Sequence, residues 1–198
     1  MDIKKTIEVI DKMADVMEEN KDYLSDLDRE IGDADHGVNM AKGFKFVKKE
    51  LETGEFKNLK ELFLKVSMTL ISKVGGASGP LYGTFFMKFA NDLADQKEFT
   101  RELFEQAFKN GVDGVKLRGK ATVGEKTMVD VLEPVSQELS KDTSYSDIIN
   151  LAKEKMEKTK DIKATKGRAS YLGDRSIGHI DPGACSSYLL IKTALENI

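Results

Sequence analysis

"LKELFLKVSMTLISKVGGASGPLYGTFFMKFAN", residues 59–91, sets a turn of small residues between two helical stripes. Leu59, Leu62, Phe63, Val66 and Leu70 step by three and four, as do Tyr82, Phe85, Phe86 and Phe89, the spacing of one buried helix face. Between them GGASGP, residues 75–80, runs into a helix with Pro80 in its first turn, where proline is tolerated. Outward from this unit the pattern repeats. Stripes at Ile7, Ile10, Met13, Met17 and at Met40, Phe44, Val47, Leu51 precede it. Stripes at Leu103, Ala107, Val112, Val115 and at Met128, Val131, Leu132, Val135 follow it. Two more lie at Ile148, Ile149, Ala152, Met156 and at Tyr188, Leu189, Ile191, Leu195. No convincing run of alternating β-branched residues interrupts them. The expectation is an all-α single domain over residues 1–198, built of about eight amphipathic helices. Pro182 marks another helix start, and Pro134, inside the sixth stripe, either kinks that helix or marks a later start.

The connections are of two kinds. TGEFKN, DQKEFT and SKDTSY are short, charged and bland. DREIGDADHG, GGASGP, LRGKATVGEKT and KGRASYLGDRSIGHIDPGA are glycine-rich and crowded with reactive side chains, and they alternate with the bland ones. Consecutive helices on short connections run antiparallel. All four loaded loops are therefore expected at one rim, with the other rim plain.

The chain is 40% hydrophobic and 33% charged with a net charge of -3, so no basic excess exists to neutralise a nucleic-acid backbone. No stretch approaches the roughly 20 apolar residues that cross a bilayer. The N-terminal MDIKKTIEVIDKM breaks each apolar run with charge, unlike a signal peptide. Cys185 is the one cysteine, which excludes an internal disulfide. Neither nucleic acid nor membrane is expected as a partner, and a cytosolic (cytoplasmic) protein is expected.

Asp28, Asp33 and Asp35 lie in DREIGDADHGVN, residues 28–39, close enough in the chain to meet around a cation. The spacing is not that of an EF-hand. Three carboxylates short of a full cage suit magnesium, which keeps waters and takes other ligands from phosphates. The alternative is a helix C-cap followed by an N-cap, with Asp35 capping the helix that begins near Gly37. Glu30 reads as a neighbour. His36 either donates to an anion at that helix start or is a plain hydrogen-bonding residue. Asn39 caps, bridges water to metal, or meets phosphate.

GGASGP can offer backbone N–H groups and the Ser78 hydroxyl to an anion, or be a plain turn with Gly75 as C-cap. RGKATVGEKT, residues 118–127, misses the Walker A pattern because Glu125 separates Gly124 from Lys126. Gly119 and Gly124 still allow a ligand to approach, and Met128 either faces a flat ring or belongs to the core. In the last loaded loop Lys166, Arg168 and Arg175 oppose the aspartates, as a basic lid or as solvated residues paired with nearby acids. Asp181, Pro182 and Gly183 open the final helix with an acidic cap. His179 reads as structural, and Cys185 has no partner that would make it a nucleophile. Carboxylates, glycine-rich helix starts and a basic lid describe a site for magnesium and polyphosphate. Phosphoryl transfer needs mainly positioning and charge neutralisation, so no nucleophile is missed.

EIGDADHGVNM, GGASGPLYGTFF, GEKTMVDVL and GRASYLGDRSIGHIDPGA, in this order, resemble the nucleotide-binding L subunits of bacterial dihydroxyacetone kinases over nearly the whole chain. The resemblance implies a barrel of eight antiparallel helices with the nucleotide at one rim. It implies two magnesium ions on Asp28, Asp33 and Asp35, and ADP/ATP held as a bound coenzyme. His36, Gly37, Val38 and Asn39 would then lie beside the phosphates, with Ala77 and Ser78 in the glycine loop. Gly119 and Met128 would lie near adenine and ribose, and Arg168, Asp181, Pro182 and Gly183 would complete the site. Lys166 lies just outside the matched motif.

For a free-standing chain the resemblance implies a kinase subunit of the phosphoenolpyruvate–glycerone phosphotransferase type. ADP is rephosphorylated in place by the phosphotransferase-system M subunit, and the phosphoryl group passes to dihydroxyacetone on a separate K subunit. Two other readings stay open: an ATP-exchanging L subunit with a separate K subunit, and a nucleotide-dependent regulator of a transcription factor. A homodimer is also left open.

Overall fold

Local capping starts most of the helices. Asp2, Asn58, Thr100, Ser144 and Asp181 each accept a backbone N–H with their side chains at the first turn of a helix, satisfying donors that the helix itself leaves free. The computed structural model describes residues 1–139, 141 and 143–198. Ser140 and Asp142, in the expected SKDTSY connection, lie outside the described residues. Among the described residues there are nine α-helices. In chain order they are α1 (Ile3–Glu19), α2 (Lys21–Ile31), α3 (His36–Glu52), α4 (Leu59–Lys73) and α5 (Ser78–Asn91), then α6 (Arg101–Gly119), α7 (Val129–Leu139), α8 (Tyr145–Lys158) and α9 (Pro182–Leu195). Short 3₁₀ segments cover Thr159–Asp161 and Arg168–Ser176. None of the described helices is long and apolar enough to cross a membrane.

The count differs from about eight because the first expected helix breaks at Asn20, whose side-chain amide donates to the Val16 carbonyl at 2.8 Å. The chain resumes at once as α2. α1 and α2 barely touch one another, yet both lie along α3, so they act as one bent rod and the alternation of loops survives. Pro134 lies inside α7 and neither begins nor ends it.

Side-chain pairings fix the directions. Lys48 of α3 meets Asp15 of α1 at 2.8 Å, while Gly37 at the start of α3 abuts the Lys21 carbonyl of α2. α3 therefore runs back along the rod. Lys65 of α4 meets Glu50 of α3 at 2.7 Å, with Gly43 against Val74. Phe89 of α5 packs on Phe63 of α4 at 4.8 Å and on Phe104 of α6 at 6.0 Å. From α2 onward each helix packs on its neighbours in the chain, and α9 packs on α1, which closes the circuit. The core inside it is one apolar cluster, dense with phenylalanine between α4, α5 and α6.

Candidate functional site

The four chemically loaded connections line one cavity of ≈ 430 Å³. Its wall includes Asp28, Asp33, Asp35 and His36, then Ala77 and Ser78, then Gly119 and Met128, then Lys166, Arg168, Asp181, Pro182 and Gly183. Residues far apart in sequence meet here because the antiparallel packing returns every second connection to the same rim.

Asp28 lies in the last turn of α2 as a buried carboxylate, and its Oδ2 accepts the N–H groups of Asp35 at 2.9 Å and His36 at 3.1 Å. A Cβ on Gly32 would fall 2.0 Å from Asp28 Oδ1, so only glycine lets the carboxylate lie there. Ala34 takes a left-handed φ of 62°, turning the chain sharply between Asp33 and Asp35. One carboxylate oxygen each from Asp28, Asp33 and Asp35 then falls within 4.8 Å of the others. Asp35 stands at the start of α3 but makes no capping hydrogen bond. The cap is Asp28, seven residues upstream, which leaves the Asp35 carboxylate for another role. Three gathered hard-oxygen donors fit a magnesium ion that keeps waters and shares phosphate ligands. Arg168 Nη1 lies 2.8 Å from Asp33 Oδ2 and brings positive charge to the same point.

His36 is buried in a polar network that ties three helix starts together. Its Nδ1 pairs with Ser78 Oγ at 3.0 Å and its Nε2 with Ser186 Oγ at 2.9 Å. The Tyr82 hydroxyl pairs with Ser186 Oγ and Ser187 Oγ, both at 2.8 Å. Burial pushes the His36 pKa down to about 4, so the imidazole is neutral at pH 7 and serves as one donor and one acceptor. Both ring nitrogens are thus engaged within the protein. Gly37, Val38 and Asn39, expected beside phosphates, do not line the cavity. Gly37 packs on the Lys21 carbonyl, Asn39 lies against Gly75, and Val38 is 51% exposed.

The start of α5 at Ala77 has no side-chain cap, so its first N–H groups are available to an anion at the positive end of the helix dipole. Leu81, Val115 and Met128 make an apolar stretch of wall beside Gly119. Met128 is buried. Asp181 caps α9 by accepting the Ala184 N–H at 2.7 Å, and burial pushes its carboxyl up to about 7 against the pull of that N–H and of Lys126. Burial and the Asp181 charge push the Cys185 thiol up to about 12, which agrees with its inert reading.

The long connection between α8 and α9 is folded rather than open. It is anchored on Ile31 of α2 through Ala164 and, within its 3₁₀ segment, through Ala169 and Leu172. Lys166 and Arg168 reach the cavity, whereas Arg175 is exposed and lies outside its wall. Lys166 pairs loosely with Glu125 at 3.7 Å. The His179 ring lies 4.0 Å from Glu30 and outside the cavity wall, as a structural residue would. Sequence reading passed over Tyr82, Lys126 and Asp130. Asp130 accepts the N–H groups of Gly124 at 2.6 Å and Thr127 at 2.7 Å, holding the turn before α7.

The DAK2 domain family matches residues 30–196. The chain belongs to that family. Among its DAK2 relatives is the PTS-dependent dihydroxyacetone kinase, ADP-binding subunit DhaL, of Lactococcus lactis, 47% identical over 98% of this chain and 97% of the relative. The ADP-binding subunit DhaL of PEP-dependent dihydroxyacetone kinase 1 from Listeria innocua is 49% identical over 91% and 89%. The DAK2 fold also matches the dihydroxyacetone kinase of C. freundii, solved in complex with AMP-PNP and Mg2+, with a TM-score of 0.76 and 23% identity. That match covers 97% of this chain and 33% of the C. freundii chain, so the present chain spans about a third of that enzyme.

Proposed function

We propose that this chain is the ADP-binding subunit of a phosphotransferase-system-dependent dihydroxyacetone kinase, acting in the cytoplasm as one nucleotide-binding domain. The observation that carries the reading is the facing of a three-carboxylate cluster and an uncapped helix start across one cavity. Near-full-length identity to DhaL subunits supports it.

Asp28, Asp33 and Asp35 would hold two magnesium ions. The N–H groups at the start of α5, with Ser78 beside them, would hold phosphate oxygens. Gly119, Met128 and Leu81 would take the base and ribose against the apolar wall. Arg168 would neutralise phosphate charge beside Asp33, and the Asp181–Gly183 turn would close the floor. The bound magnesium nucleotide would supply the phosphoryl group, received from an M subunit and delivered to dihydroxyacetone on a K subunit. The chain's own task is then to orient and to balance charge, the main demands of phosphoryl transfer. His36 contributes by fixing α3, α5 and α9 against one another.

Native mass spectrometry of protein purified without added nucleotide tests this reading. Bound ADP with magnesium, lost on treatment with a chelator, is the expected result. A protein that neither carries nor takes up ADP would refute it.

A further inference from the structure

Lys126 is buried where a lysine is least expected. It lies in the turn between α6 and α7, in a stretch that reads as polar loop, yet it is 1% exposed. A buried ammonium persists only when hydrogen-bonded. This one donates to the backbone carbonyls of Thr159, at 2.6 Å, and His179. Those two residues lie at the two ends of the long connection between α8 and α9. Two further ties close the same point: Gly178 N–H donates to the Lys160 carbonyl at 2.6 Å, and Asp181 N–H to Thr159 Oγ1 at 3.0 Å. Burial pulls the ammonium pKa down, while Asp181, Asp130 and Asp161 pull it up.

We propose that Lys126 is a positioning residue that staples the base of the Thr159–His179 connection and so sets Arg168 and the start of α9 in the cavity. An ammonium suits the task because it is a compact charge with three donors, able to satisfy carbonyls from two unrelated chain segments. Closing a loop at its base removes the freedom of its ends. Arg168 then reaches Asp33 from a fixed frame. Asp181 is held twice, through its N–H on Thr159 and through its carboxylate on Ala184 N–H. The turn bearing Lys126 is itself anchored by Asp130, so one side chain couples two of the four loaded connections. The staple stands on geometry alone; its effect on nucleotide rests on the function proposed above.

Lys126→Met keeps the apolar stem and removes the ammonium. In hydrogen exchange without nucleotide, the Gly178 and Asp181 amides should exchange roughly 10-fold faster while α4 and α5 amides keep their protection. The dissociation rate of ADP should rise by a factor of about 10 or more, as when a group orienting a ligand site is lost. Unchanged exchange at Gly178 and Asp181, or a uniform rise across all helices, overturns the staple. A wild-type protein that holds no ADP overturns the nucleotide reading and leaves the exchange result standing, so the two failures are distinct. Should Lys126→Met not fold, Lys126→Gln keeps a polar donor but removes the charge and one bond of reach, so it cannot serve both carbonyls. Faster exchange at Gly178 and Asp181 with faster ADP release in that variant supports the staple, and wild-type behaviour of both overturns it.

Discussion

The two rims of this protein start their helices by opposite means. At the plain rim α1, α4, α6 and α8 begin on Asp2, Asn58, Thr100 and Ser144, each accepting the N–H three residues on. At the site rim α3 and α5 begin with no such cap. α3 is served by Asp28 from seven residues upstream, and α5 is tied to α3 and α9 through His36. α7 and α9 are the exceptions among the site-rim helices: Val129 N–H, at the first residue of α7, donates to Thr127 Oγ1 at 3.2 Å, and Asp181 caps α9. The plain rim is thus written in adjacent residues, while the starts of α3 and α5 at the site rim are set only once the fold has closed. Donors left free by local chemistry are what a ligand can use.

That contrast can be broken by experiment. The largest effect is expected from pH. His36 has an ordinary pKa of 6.5 and a folded value of about 4, so between those values the unfolded chain binds a proton that the folded chain refuses. The His36 contribution is complete above pH 6.5 and is lost as the pH drops towards 4, by on the order of 3 kcal/mol. Asp181, raised from 3.8 to about 7, contributes the opposite slope in this range, so the His36 effect is read as the difference between wild type and His36→Gln in denaturant titrations; an equal slope in the two would detach the site rim from its buried network. Asp33→Asn comes next. ADP affinity in magnesium, read by calorimetry, should fall roughly 100-fold with unchanged circular dichroism. Undiminished affinity would remove Asp33 from the metal site.

Tyr82→Phe is smaller. It deprives Ser186 and Ser187 of a partner and should cost about 1–2 kcal/mol in thermal or chemical unfolding, with a weaker hold on ADP as the start of α9 loosens. Smallest is Asn58→Ala at the plain rim, expected to cost about 1 kcal/mol and to leave ADP affinity untouched. An affinity change in that variant would sharpen the comparison into something less local than two independent rims.

Much of this was legible in sequence because it depends on neighbours. The stripes gave helices, and the alternation of bland and loaded connections anticipated a common cavity. The break at Asn20 was not legible, since no glycine or proline marks it and apolar spacing continues from Met17 to Leu24 on either side. The capping of α3 by Asp28 was not legible: local position offers only Asp35, the alternative to a metal role, whereas Asp28 wins through a turn held by Gly32 and Ala34. Lys126 reads as exposed in any linear view; its two carbonyl partners lie 33 and 53 residues away. Tyr82 reads as core, which it is, but its hydroxyl finds serines more than 100 residues on.

Ala34 holds a left-handed backbone between Asp33 and Asp35, a conformation that glycine adopts without steric cost. Glycine would relieve that strain by more than it widens the unfolded ensemble. Ala34→Gly should therefore melt somewhat above the wild-type temperature. It would also broaden the spread of distances between the two carboxylates, because a glycine turn samples more backbone. Alanine at this turn gives up folding free energy for a narrower carboxylate spacing, so the variant that melts higher would hold its cation less well.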